Sequence, residues 1–368
     1  MTAIKVLEVI RQGHVGGGES HLIDLVTNFP PDIQPVILAF TPGQMIDNLR
    51  GNGIRCYVIE TGKAFDYNVQ REIRQIIKQE EINIIHAHGT RAASNMAFLS
   101  QIMRIPMIYT VHGWSFHQDQ SLVVKGLRML IEKMLCAMCR QVICVSESNL
   151  LTGKKAFGLN HATVIENGIN LARFNASNKF KDIRTEFGFS SQDFIVGFFG
   201  RMTIQKDPIT FIKAIKKATA IEPKVKALLV GEGDLDKEIS DAIIENNLQT
   251  IIHRLPFRQD VPDMLAAIDV FCQPSLWEGL SIALIEAMAM KKAVLVTPTD
   301  GTKEIIQDGF NGSVVEYIDF NSLADKIVNY SSNSNLLLKH GENAFNLVKE
   351  RFDARRVSER VVDIYRNI

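Results

Sequence analysis

Short runs rich in β-branched residues alternate along this chain with amphipathic segments of helical length. In the first half, the strand-like runs lie at residues 4–10, 35–40, 54–59, 82–86, 107–111, 142–145 and 163–165. Segments with helical periodicity lie between them, near residues 18–28, 68–80, 91–103, 121–140 and 146–157. Strands that are apolar along most of their length and alternate with helices are typical of a parallel sheet covered on both faces. We therefore predict a doubly wound α/β domain.

The same alternation resumes in the second half of the chain. It begins with the apolar run at Phe194 and continues at residues 225–230, 251–255, 270–273, 293–297 and 313–315. Between the halves, residues 172–181 have no periodicity and are rich in Asn, Ser and Lys, which is typical of a domain boundary. A chain of 368 residues also exceeds the usual size of one hydrophobic core. We predict two Rossmann-like domains, at residues 1–172 and 173–350.

The composition argues against several classes of protein. The 41 Lys and Arg residues balance 41 Asp and Glu residues, which gives no support for a nucleic-acid partner. Five cysteines are too few for a disulfide framework, and they indicate reduced thiols and a cytosolic compartment. Cys136 and Cys139 form a Cys-x-x-Cys pair, but without a second pair or a nearby His we do not predict a metal site. No apolar stretch is long enough for a transmembrane helix, and the first residues indicate a strand and not a signal peptide.

Three consecutive glycines, Gly16, Gly17 and Gly18, follow the first predicted strand and precede a helix. In parallel sheets, ligands bind beyond the carboxyl ends of the strands. Glycines at such a position let backbone amides approach an anion or a sugar, although a plain flexible turn is an alternative. Because the glycines are bunched, they do not form the Gly-x-Gly-x-x-Gly fingerprint, and we do not predict NAD.

Histidines mark the ends of two further predicted strands. His86 and His88 precede Gly89, and His112 precedes Gly113. A histidine at such a strand end is predicted to be more exposed than a core histidine, and it can donate a hydrogen bond to a sugar hydroxyl. For each histidine alone, a structural role is an equal alternative.

Two cations follow the first strand of the second half. Arg201 and Lys206 lie between that strand and a helix for which Asp207 can serve as N-cap and Pro208 as first residue. An Arg side chain can donate two parallel hydrogen bonds, and a Lys side chain adds a mobile positive charge. Together they suit a diphosphate. Two ordinary surface cations are the alternative interpretation.

Two carboxylates lie in the stretch 274–289, with Glu278 in a predicted loop and Glu286 in a predicted helix capped by Ser281. The first amides of a helix lack intrahelical acceptors and carry the positive end of its dipole, so this helix start favours a phosphate. Glu286 would then lie near a ribose, and Gly279 would let Glu278 project past the phosphate. Two solvated acids are the alternative.

The stretch 274–289 resembles the Glu-x7-Glu signature of retaining glycosyltransferases of family four, which have the GT-B fold. Other motifs occur in the order found in that family, namely the glycines at 16–18, His112-Gly113, Asn167-Gly168 and the pair Arg201 and Lys206. Asn170 and Asp207 stand where the family normally has Asp and Gly. The resemblance implies two Rossmann-like domains facing a cleft, with the acceptor in the first and the nucleotide sugar in the second. It also implies that residues 351–368 form a helix that crosses back to the first domain.

The resemblance implies roles for particular residues. The catalytic group comprises His112, Arg201, Lys206 and Glu278. The residues implied to bind the nucleotide sugar are Gly16, Gly17, Gly18, Arg201, Lys206, Gly231, Glu232, Glu278, Gly279, Leu280, Ser281 and Glu286. The two cations and the helix start would stabilise the departing diphosphate, so neither a metal ion nor a cofactor is expected. Asp234 and Asp236 form an Asp-x-Asp pair, which we interpret as structural because Asp is favoured at a helix start.

We therefore predict a retaining glycosyltransferase that moves a sugar from a nucleotide diphosphate, UDP being favoured, to a saccharide, lipid-linked or small-molecule acceptor. Cell-surface glycan biosynthesis is the expected setting. Paired carboxylates would also suit a glycosidase, but a hydrolase has no diphosphate for the two cations to bind. A nucleotide-sugar epimerase of similar fold and a catalytically silent nucleotide-sugar binding protein are the alternatives.

Residues 121–140 carry four cations, Lys125, Arg128, Lys133 and Arg140, against the single acid Glu132. The rest of the segment is largely apolar, so it suits a basic amphipathic helix on a membrane surface. A packed helix that shows its cations to solvent is the alternative. The expected location is therefore cytoplasmic, with a peripheral position at the inner face of the membrane left open.

Overall fold

The structure is a computed structural model that describes residues 3–13, 17–116 and 120–368. The chain divides into two compact units. Unit 1 comprises Met1–Gly168 and Ala354–Ile368, and unit 2 comprises Ile169–Asp353. Each unit is a parallel sheet covered by helices, so the predicted α/β class is confirmed.

Unit 1 contains a seven-stranded parallel sheet with the order β3-β2-β1-β4-β5-β6-β7. Its strands are β1 (Ile4–Ile10), β2 (Ile33–Ala39), β3 (Arg55–Val58), β4 (Ile84–His88), β5 (Met107–Val111), β6 (Gln141–Cys144) and β7 (Ala162–Val164). The helices between them are α1 (Gly17–Val26), α2 (Gln44–Gly51), α3 (Gln70–Gln79), α4 (Thr90–Met103), α5 (Leu122–Met138) and α6 (Glu147–Phe157), and a 3₁₀ turn (Tyr67–Val69) leads into α3. The strands β1 and β5 coincide with their predicted ranges, whereas β4 runs two residues beyond the predicted end and therefore includes His88.

Unit 2 begins with α7 (Ile183–Glu186) and contains a six-stranded parallel sheet with the order β10-β9-β8-β11-β12-β13. Its strands are β8 (Phe194–Phe199), β9 (Val225–Val230), β10 (Ile252–Leu255), β11 (Val270–Gln273), β12 (Ala293–Val296) and β13 (Ser313–Val314). The remaining helices of this unit are α8 (Pro208–Ile221), α9 (Asp236–Glu245), α10 (Val261–Ala267), α11 (Ile282–Ala289), α12 (Asp300–Ile305), α13 (Phe320–Ser332) and α14 (Ser334–Arg351), and a 3₁₀ turn (Ile204–Lys206) precedes α8. The strand order reverses between β8 and β11, so a crevice for ligands is expected at their carboxyl ends.

Local capping explains where the helices at this edge begin. The Ser281 hydroxyl accepts a hydrogen bond from the Leu284 amide and caps α11. The Asp207 carboxylate accepts one from the Thr210 amide, and Pro208 takes the first position of α8. Both caps confirm the prediction, because a side-chain oxygen at this position satisfies an amide that the helix itself cannot.

The terminal helix α15 (Ala354–Arg366) belongs to unit 1. Its buried face, which includes Val357, Val361, Val362 and Tyr365, packs in one apolar cluster with strand residues of the sheet. Fully burying an aliphatic side chain contributes roughly 1.5–3 kcal/mol, so this face anchors the helix firmly. Among the described residues, no helix combines the length and apolar character needed to span a membrane.

Candidate functional site

The carboxyl edge of the unit 2 sheet joins two segments that are far apart in the sequence. The Leu276 amide donates a hydrogen bond to the Gln205 carbonyl at 2.8 Å. The Gln205 side-chain amide donates to the Trp277 carbonyl at 2.9 Å, across a separation of 72 residues. These bonds hold the 3₁₀ turn after β8 against the loop between β11 and α11. The segments that carry the predicted diphosphate and sugar residues are therefore neighbours.

Lys206 and Glu278 form an ion pair at this junction. Their side chains are only 13% and 10% exposed, and the Ser275 hydroxyl donates a further hydrogen bond to the Glu278 carboxylate at 3.2 Å. Removing one partner from a largely buried pair leaves the other charge uncompensated, which typically costs roughly 3–5 kcal/mol. The two side chains therefore compensate each other's charge at this junction.

Arg201 also follows β8, but its environment differs from that of Lys206. Its residue is exposed, and its guanidinium makes no hydrogen bond or ion pair with any residue in the described part of the chain. Arg201 is therefore available to an anion from solution, whereas Lys206 is already paired.

The residues at the start of α11 are buried. Leu280 and Ser281 are both buried, and the Ser281 hydroxyl also donates to the Gln273 side-chain oxygen at 2.7 Å. Because Ser281 already caps the Leu284 amide, the amides of Ile282 and Ala283 are the ones that an anion could approach. Glu286 lies inside this helix and is only 8% exposed, so the alternative of a solvated helix acid is wrong for it.

The glycines of the β9–α9 loop are required by packing of the backbone. A Cβ added to Gly231 would lie 2.0 Å from the Gly200 carbonyl oxygen, and Gly231 has a φ of +133°. A Cβ on Gly233 would lie 2.4 Å from the Met202 carbonyl oxygen. Both glycines therefore let this loop approach the segment after β8. Between them, Glu232 is exposed, and its carboxylate accepts a hydrogen bond from the Phe257 amide at 3.4 Å.

Gly301 is a residue of this edge that the sequence analysis missed. A Cβ there would lie 1.8 Å from the carbonyl oxygen of Gly279, so the loop carrying Glu278 packs directly on Gly301. The signal that could have revealed it is the Asp-Gly pair at the start of α12, the helix that follows β12, because residues between a parallel strand and the next helix line the ligand edge. Asp236 makes structural contacts, although it is the first residue of α9 and not its cap, since the N-cap is Leu235. Its carboxylate accepts from the Gly233 amide at 3.1 Å and pairs with Arg254 at 2.6 Å.

In unit 1, a buried network lies at the carboxyl ends of the central strands. Glu8 is completely buried, and its Oε2 lies 2.8 Å from Nε2 of His88. The Tyr365 hydroxyl of α15 donates to Oε1 of Glu8 at 2.7 Å. His86 joins the network, with Nδ1 2.5 Å from the Tyr365 hydroxyl and Nε2 2.7 Å from that of Thr110.

The prediction that His86 and His88 are more exposed than core histidines is wrong. They are only 1% and 3% exposed, because β4 continues to His88 and lies in the middle of the sheet. Glu8 was not predicted as a functional residue, although an acid in the middle of an otherwise apolar strand is a visible signal in the sequence. A charge at such a position requires hydrogen-bond partners.

His112 lies at the open end of this network and is partly exposed. Its Nε2 lies 3.3 Å from Nδ1 of His88, and the two rings stack with centroids 5.5 Å apart. The ring of His21 meets it edge-on, also at 5.5 Å. A Cβ on Gly18 would lie 3.9 Å from the His112 ring, and Gly17 is the first residue of α1. The structure thus brings Gly18 and His112 together, whereas Gly16 lies outside the described residues.

Burial controls the protonation of this network. Burial lowers the pKa of His88 to about 4 and that of His21 to about 3, and it lowers the pKa of His112 well below its usual value. Burial alone would raise the pKa of Glu8, but the interactions with His86 and His88 outweigh it and hold the pKa well below the usual range. At neutral pH, Glu8 is therefore ionised, whereas His21, His88 and His112 are neutral.

Within the described part of the chain, one group has the spacing of metal ligands, since the ligand-type atoms of Glu8, His86 and His88 all lie within 4.8 Å of one another. All three side chains already make hydrogen bonds within the network, so we interpret them as a hydrogen-bonded cluster. Cys136 and Cys139 are both buried, and burial raises the pKa of each thiol, which disfavours the thiolate that a metal requires.

The sequence matches two models of known protein families. Residues 15–173 match the model described as Glycosyltransferase Family 4, and residues 179–347 match Glycosyl transferases group 1. Together the two matches span nearly all of both units.

Curated relatives and solved structures agree with this assignment. The UDP-Gal:alpha-D-GlcNAc-diphosphoundecaprenol alpha-1,3-galactosyltransferase of Escherichia coli is 24% identical, over 79% of this chain and 77% of the relative. The N,N'-diacetylbacillosaminyl-diphospho-undecaprenol alpha-1,3-N-acetylgalactosaminyltransferase of Campylobacter jejuni is 24% identical, over 96% of each chain. The structure of HepE from Anabaena in complex with UDP and glucose superposes with a TM-score of 0.89 at 23% identity, over 99% of this chain and 100% of the other. The chain therefore belongs to the family-four glycosyltransferases and has their GT-B fold.

Proposed function

We propose that this glycosyltransferase moves a sugar from a UDP-sugar to a lipid-linked saccharide, with retention of the anomeric configuration. The observation that carries the proposal is the junction in unit 2, where Lys206 and Glu278 form an ion pair beside the start of α11. This junction offers positive charge for a diphosphate and a carboxylate directly beside it.

The leaving group explains why both kinds of charge are needed. As the bond between sugar and diphosphate breaks, negative charge grows on the diphosphate and positive charge grows on the sugar ring. Arg201, Lys206 and the free amides of α11 stabilise the first charge, and Glu278 stabilises the second. Glu278 also orients Lys206 in the ligand-free enzyme through their ion pair. Because the protein supplies these charges, the proposed mechanism requires no divalent metal.

The choice of UDP rests on the relatives. The name of the Escherichia coli relative specifies UDP-Gal as its donor, and the Anabaena protein was solved with UDP and glucose. A thermal-shift comparison of UDP, GDP and ADP tests this choice, because a ligand at 100 times its Kd stabilises the folded state by about 2.7 kcal/mol. We expect UDP to produce the largest shift. A larger shift with GDP or ADP would contradict the choice of UDP while leaving the diphosphate site intact.

A lipid-linked acceptor is supported both by the relatives and by a surface of unit 1. The names of the Escherichia coli and Campylobacter relatives both specify acceptors linked to diphosphoundecaprenol. In this chain, α5 exposes a row of apolar side chains, among which Leu122 and Val123 are 87% and 82% exposed. Apolar side chains this exposed are typical of interaction surfaces.

The same surface of α5 carries positive charge. Lys133 is exposed on this helix and Lys125 is partly exposed, and the exposed Arg128 guanidinium donates to the Ser115 carbonyl at 2.7 Å. Apolar side chains flanked by cations are complementary to an anionic lipid surface, into which the former insert and to which the latter are attracted. We therefore propose that α5 holds unit 1 against a membrane that contains the acceptor.

The stereochemical outcome gives the most direct test. The purified enzyme is incubated with a UDP-α-sugar and a diphosphate-linked saccharide with a short prenyl chain, and the new anomeric proton is examined by NMR. An α-linked product supports the proposal, and a β-linked product would contradict retention.

A reaction without acceptor separates the proposal from its alternatives. An epimerase would convert the donor sugar, and a silent binding protein would leave it unchanged with or without acceptor. The proposed transferase hydrolyses the donor slowly at most and consumes it only when acceptor is added.

A further inference from the structure

A continuous chain of hydrogen bonds leads from a buried carboxylate to the histidine at the open end of the unit 1 network. Oε2 of Glu8 lies 2.8 Å from Nε2 of His88, and Nδ1 of His88 lies 3.3 Å from Nε2 of His112. Glu8 is completely buried and His88 is 3% exposed, whereas His112 is partly exposed. The chain therefore links the protein interior to a side chain that a ligand can reach.

With Glu8 ionised and the imidazoles of His88 and His112 neutral, the donors and acceptors along this chain follow from one another. Glu8 is ionised and can only accept, so Nε2 of His88 carries a proton and donates to it. A neutral imidazole has one protonated nitrogen, which leaves Nδ1 of His88 as an acceptor. Nε2 of His112 must then carry the proton that is donated to His88, and Nδ1 of His112 keeps an electron pair and can only accept.

The neighbours of Glu8 and His112 support this assignment. Glu8 also accepts from the Tyr365 hydroxyl at 2.7 Å, so two hydrogen-bond donors stabilise the carboxylate, and Nδ1 of His86 lies 3.2 Å from its Oε2. His21 contacts His112 through its ring, and the Asn167 side chain lies within hydrogen-bonding reach of the same ring. The burial that lowers the pKa values of His88 and His112 opposes a second proton on either ring, which would break the pattern.

We propose that Glu8 and His88 are positioning residues that hold His112 in the tautomer protonated on Nε2, so that its Nδ1 accepts a hydrogen bond from a hydroxyl of the bound sugar. The proposal rests on the proposed function for the identity of the ligand, but the tautomer is a property of the ligand-free enzyme. It reverses the direction predicted from the sequence alone, in which the histidine donates to the sugar. The sugar hydroxyl at His112 must therefore act as the hydrogen-bond donor.

The direct test is the tautomer itself, measured by two-dimensional ¹H–¹⁵N NMR on enzyme labelled at histidine, with the His112 signals assigned from their loss in His112→Gln. We expect a protonated Nε2 and an unprotonated Nδ1 in the wild-type enzyme at pH 7. The variant His88→Phe keeps a ring of similar shape but removes the acceptor, so the population protonated on Nδ1 should rise. A wild-type His112 protonated on Nδ1, or a tautomer that does not change in His88→Phe, would overturn the proposal.

The matched control is His21→Phe, because His21 contacts the His112 ring at the same distance of 5.5 Å as His88 does, but edge-on and not stacked. This variant should leave the tautomer of His112 unchanged. An equal change in both variants would show that burial, and not the hydrogen bond from His112 to His88, sets the tautomer.

If His88→Phe does not fold, Glu8→Gln replaces it. Its neutral side chain accepts more weakly, so the tautomer should shift in the same direction by a smaller amount.

Kinetics connect the tautomer to the reaction. In His88→Phe we expect kcat to fall about tenfold, the size of one lost hydrogen bond, with the Kd for UDP unchanged. With the wild-type enzyme, we compare donors in which the contacted hydroxyl is replaced by fluorine or by hydrogen. Both donors should lose the same amount of activity, because fluorine cannot donate a hydrogen bond to His112. If, at each hydroxyl position tested, the fluorinated donor stays active where the deoxy donor does not, His112 donates to the sugar and the proposal is wrong. If the tautomer is as expected but no sugar is transferred, the proposed function fails and the positioning role remains.

Discussion

The two units share the same arrangement of a parallel sheet and helices, but they carry different side chains at the carboxyl edge of the sheet. In both sheets the strand order reverses next to the first strand of the unit, at β1 and β4 in unit 1 and at β8 and β11 in unit 2. At this edge, unit 2 presents the cations Arg201 and Lys206 and a helix start, whereas unit 1 presents the neutral imidazoles of His88 and His112, linked to the buried carboxylate of Glu8. The shared arrangement determines where a ligand binds, and the side chains determine which ligand it is.

The difference in charge matches two different ligands. A diphosphate gains from cations and free amides, and it would be repelled by the ionised Glu8 behind His112. An uncharged sugar instead needs donors and acceptors of defined direction, which a rigid network of neutral histidines supplies. We therefore expect substitutions in unit 2 to act on nucleotide affinity and on the developing charge, and substitutions in unit 1 to act on the sugar.

The largest effect is expected from Glu278→Gln, which removes the negative charge beside the sugar and keeps the shape. Turnover should fall about a hundredfold, as when one preorganised electrostatic contact to the transition state is lost. Glu286→Gln should instead raise KM for the donor and spare turnover, since a ribose contact acts equally in the ground and transition states. This second effect should vanish with a 2′,3′-dideoxy donor. Identical kinetic signatures for the two variants would show that the glutamates do not have separate roles.

The next effect concerns the two cations of unit 2. Arg201→Ala and Lys206→Ala should weaken the binding of UDP far more than that of uridine, because a charge-assisted hydrogen bond contributes roughly 1.5–3 kcal/mol. Lys206→Ala should have the larger effect, because it also leaves Glu278 unpaired beside the diphosphate. Calorimetry measures both ligands, and Lys349→Ala, an exposed cation on α14, serves as the control. Equal losses for UDP and uridine would contradict a diphosphate site.

Acid should destabilise unit 1 through its buried histidines. The pKa of His88 is about 4 in the folded state and 6.5 in the unfolded state, so between these values the unfolded state binds more protons. Stability from this residue is therefore complete above pH 6.5 and is lost as the pH falls towards 4, by about 2 kcal/mol between pH 7 and pH 5.

Each unit contains one of the two tryptophans, which allows the acid effect to be assigned. Trp114 reports on unit 1 in the variant Trp277→Phe, and Trp277 reports on unit 2 in Trp114→Phe. Denaturant unfolding followed by fluorescence at pH 7 and pH 5 should show the larger loss for Trp114, and His88→Phe should reduce that loss. A loss of equal size at both tryptophans would argue against the histidine network as its cause.

A smaller effect is expected from His112→Ala. Turnover should fall about tenfold, because one hydrogen bond to the sugar is lost, while the affinity for UDP stays nearly unchanged. This is the opposite of the pattern expected for Lys206→Ala. A loss confined to UDP affinity would move His112 from the sugar to the nucleotide.

The smallest effects are expected at α5. Binding to anionic vesicles should weaken with added salt and should fall in Lys125→Gln and Lys133→Gln, since each surface cation contributes about 1 kcal/mol. Leu127→Ser should also reduce binding, whereas Leu338→Ser, which changes an exposed leucine of similar exposure in unit 2, should not. Wild-type enzyme that does not bind such vesicles would remove the membrane from the proposal.

Local signals in the sequence predicted much of the fold and part of the site. The strands β1, β5, β9 and β11 have the predicted limits, and the caps at Ser281 and Asp207 occur where predicted. The expected exposure of His86 and His88 failed because the end of β4 was placed two residues early. Strand ends depend on pairing with neighbours, which a local pattern does not contain.

The sequence by itself determined the alternation of strands and helices, the helix caps and the motifs at residues 201–206 and 278–286, because each depends on residues close together in the chain. Only the tertiary structure decided which of these residues meet. Glu8 contacts His88 across 80 positions and Tyr365 across 357, and Lys206 meets Glu278 through the junction of two loops. Such contacts depend on sheet register and on the return of α15 to unit 1, so they appear only when the parallel strands align their carboxyl ends at one edge.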